Sequence, residues 1–246
     1  MKTSALNPTT AWNSLLDTAC APYRAAGRFA WHFARGKLSM DPVFRHLIET
    51  GYIRPGARVL DIGCGQGLLA SLLASSGTLA QQGAWPQDWP PAPAPERVTG
   101  IELMSRDVER ARAALAGLGA RAAFVCGDMR HTEFPTVDAV VILDVLHYIG
   151  IDEQNQVLQR VRAALAPGGL LLLRVGDASA KRGFAISQWV DAVVTRIRGH
   201  RVLPQYGRTL TEWSAQLQQL GFEVRSQAMS AGTPFANVLL IAKVPA

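Results

Sequence analysis

The chain has 246 residues, 48% of them hydrophobic and 18% charged, with a formal net charge of +6. That length and composition fit one α/β domain with additions and supply a sizeable core. No apolar run reaches a membrane span, since Ala139-Val140-Val141-Ile142-Leu143 and Leu170-Leu171-Leu172-Leu173 are strand-sized. The start, Met1-Lys2-Thr3-Ser4-Ala5-Leu6-Asn7-Pro8, has no apolar signal core, and Cys20, Cys64 and Cys126 show neither metal nor redox spacing. A reducing, cytoplasmic setting is the expectation.

The positive charge is unevenly placed. Residues 1–56 carry seven Lys/Arg against three acids, and 178–209 carry six against one, Asp191. The rest of the chain is net negative, with twelve Lys/Arg against fifteen acids. The basic character therefore belongs to an N-terminal extension and to one insertion. The expected division is a helical extension over 1–56 and a domain over 57–246, with a loop insertion at 76–96 and a basic insertion at 178–209.

In chain order, residues 11–53 read as helices. Within 22–37, Arg24, Arg28 and Arg35 share a helical face with Trp31, and Ala26, Phe29, Ala30 and Phe33 form the other. A strand over 58–63 runs into the turn Gly63-Cys64-Gly65-Gln66-Gly67, and a helix follows over 67–75. Residues 76–96, rich in Pro, Gln, Gly and Trp, read as a long surface loop. Further strands are expected at 97–102, 123–126, 139–143 and 170–175, with helices at 105–117 and 152–165, the latter ended by Pro167-Gly168-Gly169. A helix over 210–220 stops at Gly221, and two strands, 223–228 and 237–244, close the chain. Alternating strands and helices with strongly apolar central strands imply a Rossmann-like, seven-stranded, mostly parallel sheet with helices on both faces and an antiparallel C-terminal edge.

Strand, glycine turn and helix open a nucleotide-binding unit: glycines let backbone close on a ligand, and the helix N-terminus offers free N–H groups. The spacing G-x-G-x-G is not the G-x-G-x-x-G of dinucleotide enzymes. Four acids sit at or just after strand ends, where open parallel sheets bind ligands: Asp61, Glu102, Asp128 and Asp144. Glu102 is placed to accept two ribose hydroxyls.

Asp61-Ile62-Gly63-Cys64-Gly65-Gln66-Gly67 resembles the first motif of class I S-adenosylmethionine-dependent methyltransferases. Cys126-Gly127-Asp128-Met129, Ile142-Leu143-Asp144-Val145-Leu146-His147-Tyr148 and Pro167-Gly168-Gly169-Leu170 are similar to later motifs of that family, in family order over roughly residues 57–176. The resemblance implies S-adenosyl-L-methionine as cofactor, held by Asp61, Gly63, Cys64, Gly65, Gly67, Glu102, Leu103, Asp128, Met129 and Asp144. Asp128 would accept from the adenine amino group, and the backbone of Met129 would meet the ring. A fainter resemblance, in Tyr23 to Lys37, is to methyltransferases that accompany bacterial aryl-polyene or fatty-acid-like pathways.

Strand four continues into neither an Asn-Pro-Pro-aromatic nor a Pro-Cys motif, which disfavours methylation of base amino groups and of pyrimidine C5. No carboxylate cluster argues for a metal. A hydroxyl acceptor must lose a proton, and His147 is the candidate base or acceptor-orienting group. Arg28, His32 and Tyr206 are candidate acceptor contacts, Tyr23 could line the same pocket, and His32 and His200 rank behind His147 as the base. The basic segments suit a small or acyl-carrier-bound, acidic acceptor, methylated at oxygen. Nucleic acid is disfavoured, because no recognition module is present. An RNA-modifying methyltransferase, a nicotinamide-dependent oxidoreductase and a non-catalytic cofactor-binding protein remain as alternatives.

Overall fold

A computed structural model describes residues 7–178, 206–230 and 237–246. Seven strands stand in the order β3-β2-β1-β4-β5-β7-β6. They are β1 (Arg58–Ile62), β2 (Arg97–Glu102), β3 (Ala122–Cys126), β4 (Val137–Leu143), β5 (Leu165–Gly176), β6 (Glu223–Ala228) and β7 (Asn237–Lys243). The expected mostly parallel sheet with an antiparallel C-terminal edge is what forms. The chain makes two compact units, 1–133 and 134–246.

In the first unit, α1 (Pro8–Cys20) begins where the Asn7 side chain accepts from the Thr10 N–H at 2.9 Å. It buries Ala11, Trp12, Leu15, Leu16 and Ala19. A short 3₁₀ turn, Ala21–Arg24, follows, and Gly27 at φ +106° breaks the path before α2 (Arg28–Met40). The expected continuous helix through 22–37 is therefore two pieces. The buried stripe of α2 is Ala30, Ala34 and Leu38, whereas Phe29 is 56% exposed. Arg24 does lie over the Trp31 ring, 5.5 Å from its centroid. Asp41 caps α3 (Pro42–Thr50) through the Val43 N–H.

The strands β1, β2 and β3 pair in parallel, with Asp61 opposite Gly100 and Glu102 opposite Cys126. The helix after the glycine turn, α4 (Leu68–Gln81), runs six residues beyond the expected stop at 75. Ser75, Ser76 and Gly77 are weak helix formers. All three are nonetheless buried, and the Ser76 hydroxyl donates to the Leu72 carbonyl inside the helix. Packing overrides propensity here. The remaining Pro/Trp-rich segment folds back on this unit: Gly56 N–H bonds the Ala94 carbonyl, and Trp85 Nε1 bonds the Pro90 carbonyl beside Trp89. The next helix, α5, is shorter than expected (Ser105–Ala114), and a 3₁₀ turn, Ala116–Arg121, leads into β3.

In the second unit, β4 and β5 are parallel, while β7 runs antiparallel to both β5 and β6. The core residues Val140, Val141, Ile142, Leu171, Leu172 and Leu173 are fully buried. Between these strands are α6 (Ile151–Ala164) and, later, α7 (Leu210–Gln219). Pro167-Gly168-Gly169 lies inside β5 rather than before it. The strand pairs from Leu165, and the register jumps between Val137↔Leu165 and Ala139↔Leu170, with Gly168 at φ +71° in the bulge. No helix among the described residues is long and apolar enough to cross a membrane.

Candidate cofactor site and the loop after strand four

The turn after β1 is held open from below. Gly63 and Cys64 N–H groups both donate to the Ile101 carbonyl on β2, at 2.8 and 3.2 Å. Gly63, Gly65 and Gly67 have φ of +78°, +53° and +74°. At Gly67 a side chain is excluded twice, by that conformation and because a Cβ would stand 2.8 Å from the Phe124 ring. Asp61 is 4% exposed, and burial with the Glu102 charge nearby pushes its carboxyl up to about 7. The same burial, aided by Asp61 and Glu102, raises the Cys64 thiol well above its usual value, so it is an inert packing group.

Glu102 connects two elements. Its Oε2 accepts from Gly65 N–H at 3.0 Å, and its Oε1 accepts from Met104 N–H at 2.9 Å. The carboxylate thus ties the end of β2 to the glycine turn. Leu103 beside it is 58% exposed, an apolar surface at the strand end. Beyond the end of β3, Asp128 is paired with Arg130, two residues further on. Both its oxygens accept from the Arg130 guanidinium, at 2.6–3.0 Å, and Oδ1 also accepts from the Arg130 backbone N–H. These bonds hold its carboxyl below the usual carboxylate range. Met129 between them is half-buried.

These residues fit a nucleoside with an amino-acid tail. A glycine-rich turn, two carboxylates at adjacent strand ends and an exposed leucine next to Glu102 form a cradle with acceptors for hydroxyl and amino groups.

In the second unit, Asp144 is the only non-glycine residue with positive φ (+58°) among the described residues. The expected cofactor contact is engaged within its own unit: Arg174 Nε lies 3.0 and 2.9 Å from its two oxygens, and Nη2 bonds Oδ2. Arg174 sits on β5 and is 2% exposed. Nothing local in the sequence marks it, because its partner is thirty residues away. His147 lies in a 3₁₀ turn, Leu146–Tyr148, its ring 4.1 Å from that of Tyr148. Burial lowers its pKa and the Asp144 charge opposes this, so the imidazole is neutral near pH 7.

The structure brings His147 and Tyr206 together: the Tyr206 N–H donates to the His147 carbonyl at 2.8 Å. Gln154, fully buried on α6, donates to the carbonyls of Leu146, Ile149 and Tyr206 and accepts from Arg208 Nε. Arg208, 7% exposed, also donates to the Ile151 carbonyl and to Asn155. This polar hub was missed because a lone Gln and Arg carry no local signature. Of the other candidates, Arg28 and His32 are exposed on α2, with His32 edge-on to Trp31 at 4.6 Å. Tyr23 is fully buried and so does not line a pocket. His200 and most of the basic insertion lie outside the described residues. Among the described residues, no three His, Cys, Asp or Glu side chains gather as a metal site requires.

Residues 59–169 match the model of a methyltransferase domain family. The chain is 33% identical over 129 residues to a carboxy-S-adenosyl-L-methionine synthase from Chromohalobacter salexigens, covering 52% of this chain and 43% of that protein. It is 29% identical over 189 residues to a 27-O-demethylrifamycin SV methyltransferase from Amycolatopsis mediterranei, covering 71% and 57%. The chain spans about half the length of the curated relatives it matches. In fold it is similar to the S-adenosylmethionine-dependent methyltransferase SibL, with a TM-score of 0.61 at 20% identity, over 89% of this chain and 58% of that one.

Proposed function

We propose that this chain, whose matched domain and sheet order are those of class I S-adenosylmethionine-dependent methyltransferases, transfers a methyl group to an oxygen of a small, acidic acceptor. The observation that carries the reading is the Glu102 carboxylate bonded to the Gly65 N–H, which joins the glycine turn and an acidic strand end into one preformed cradle. In it, the turn would receive the amino-acid end, Glu102 the ribose hydroxyls, and Asp128 with Leu103 and Met129 the adenine. The cofactor supplies a methyl carbon already activated by a sulfonium, so the chain's own residues align the acceptor, exclude water and move a proton. His147, neutral at working pH, takes the proton from the acceptor hydroxyl. The basic segments, including exposed Arg28, favour an acidic acceptor, free or carried on an acyl carrier. The relative named for O-demethylrifamycin supports oxygen as the acceptor atom.

The test is transfer of labelled methyl from S-adenosylmethionine to a panel of acidic phenols, carboxylic acids and acyl-carrier conjugates, beside RNA and neutral phenols. Labelling confined to acidic oxygen acceptors supports the reading; labelling of RNA alone sinks it. A second reading follows from the carboxy-S-adenosylmethionine synthase match. Mass spectrometry of nucleotide released from the purified protein separates the two, because a carboxylated cofactor would be retained only under the second.

A further inference from the structure

We infer that Tyr23 is a positioning residue for the glycine turn, so that the N-terminal helices serve the cofactor rather than the acceptor alone; this rests on the cofactor assignment above. Tyr23 belongs to the 3₁₀ turn after α1 and is fully buried. Its hydroxyl donates to the Gln66 carbonyl at 2.9 Å, 43 residues along the chain. A second buried bond runs parallel to it, from the Ser71 hydroxyl on the first turn of α4 to the Ala19 carbonyl at 2.7 Å. Ser71 also adjoins the Tyr23 phenol.

The peptide unit that Tyr23 holds ends on a glycine in the left-handed region. It joins Gln66 to Gly67, and on the Gly67 side, at φ +74°, no Cβ restricts the plane. Its carbonyl belongs to Gln66 and its N–H to Gly67. The N–H donates to the Cys64 carbonyl at 2.9 Å, and the carbonyl accepts from Tyr23. An earlier N–H of the turn, that of Gly65, is held by Glu102. Three partners from three places thus fix three backbone groups of the turn, and Tyr23 is the one from outside the β-α-β unit. Burial keeps its phenol well above its ordinary pKa, so it stays a donor at any working pH. Without the hydroxyl, the Gln66 carbonyl is buried with no partner and the peptide is free to turn. A ligand reaching the turn with its amino-acid end must then order it at its own expense of affinity. A ligand held only through adenosine is indifferent.

The experiment is calorimetric titration of the full chain with S-adenosylhomocysteine and with 5′-methylthioadenosine, which shares the adenosine and lacks the amino-acid end. Parent, Tyr23→Phe and Ser71→Ala are compared, with melting curves for each. Tyr23→Phe is expected to weaken S-adenosylhomocysteine about tenfold, as loss of one buried hydrogen bond does. Its methylthioadenosine affinity is expected to stay within about twofold of the parent. Ser71→Ala shifts the same ratio in the same direction by about threefold, and it decides the matter if Tyr23→Phe does not fold. Equal weakening of both ligands, or a lower melting temperature with both affinities unchanged, overturns the inference, since either is what a merely structural tyrosine would give. A folded parent that binds neither ligand overturns the cofactor assignment itself, and the inference with it.

Discussion

Arg174 presents its guanidinium to both carboxylate oxygens of Asp144, a residue whose own backbone sits in the left-handed region. The arginine is buried and the aspartate half-buried at the end of β4. Left-handed backbone is unfavourable for a residue with a side chain, so the strain at this loop persists because the ion pair holds it there. The same contact anchors the start of the loop that carries His147.

Removing that carboxylate should therefore cost stability before it costs chemistry. Asp144→Ala is expected to lower unfolding free energy by about 2–4 kcal/mol in urea melts, below the ~3–5 kcal/mol of a fully buried pair because the aspartate is half-buried. Asp144→Asn should lie between it and the parent, since Asn tolerates positive φ and keeps an acceptor. An Asn variant as unstable as the Ala variant would show that backbone strain and hydrogen bonding contribute nothing beyond charge.

Asp61 makes the opposite kind of prediction. Its carboxyl is pushed up to about 7 from an ordinary 3.8, so the folded protein holds a proton that the unfolded chain releases. The stability this contributes is fully present below pH 4 and is lost as pH rises through 7. Melting temperature of the ligand-free protein should fall between about pH 4 and 7 on this account. Asp61→Asn should flatten that slope. A slope unchanged in Asp61→Asn would assign the titration to another group.

How much of this was readable beforehand depends on whether the partner is local. The turn from Asp61 to Gly67 and strands β2 and β6 could be placed from the sequence, because alternation, glycine spacing and turn residues act over a few positions. The end of α4 could not. Ser75-Ser76-Gly77 looks like a helix stop, and only burial under the Pro/Trp segment, with Ala94 close against Gly77, keeps it helical. Arg174, Gln154 and Arg208 were unreadable for the same reason: each is a polar residue with at least one defining partner 30 to 57 residues away. Arg130 is the exception. It is two residues from Asp128, and the i, i+2 spacing after a strand end was a signal available to be used.

His147 should show its role in the pH dependence of methyl transfer to a hydroxyl acceptor. Burial lowers its pKa, so the acidic limb of kcat/KM should have its midpoint below 6.5 and a plateau above it. The Asp144 charge raises that pKa, so Asp144→Asn should move the limb to still lower pH. His147→Asn should reduce kcat by about 10²–10⁴, the usual share of a general base, with S-adenosylhomocysteine affinity unchanged. If His147→Asn keeps the limb, the imidazole is packing the loop and is not the base.

Gly67 tests the cradle most sharply, because one methyl group meets two independent obstacles. Its φ of +74° disfavours any side chain, and a Cβ would lie 2.8 and 2.9 Å from two carbons of the Phe124 ring. Phe124 on β3 is itself buried, with its carbonyl held by Arg112, so the ring has little room to retreat. Gly67→Ala is expected to destabilise the chain by about 1–3 kcal/mol. It should also weaken S-adenosylhomocysteine binding, since the turn must shift to accommodate the methyl. The double variant Gly67→Ala/Phe124→Leu separates the two obstacles. Substantial recovery of stability there assigns the damage to the ring contact. No recovery assigns it to the backbone conformation, and in that case binding should remain weak because the turn itself is deformed.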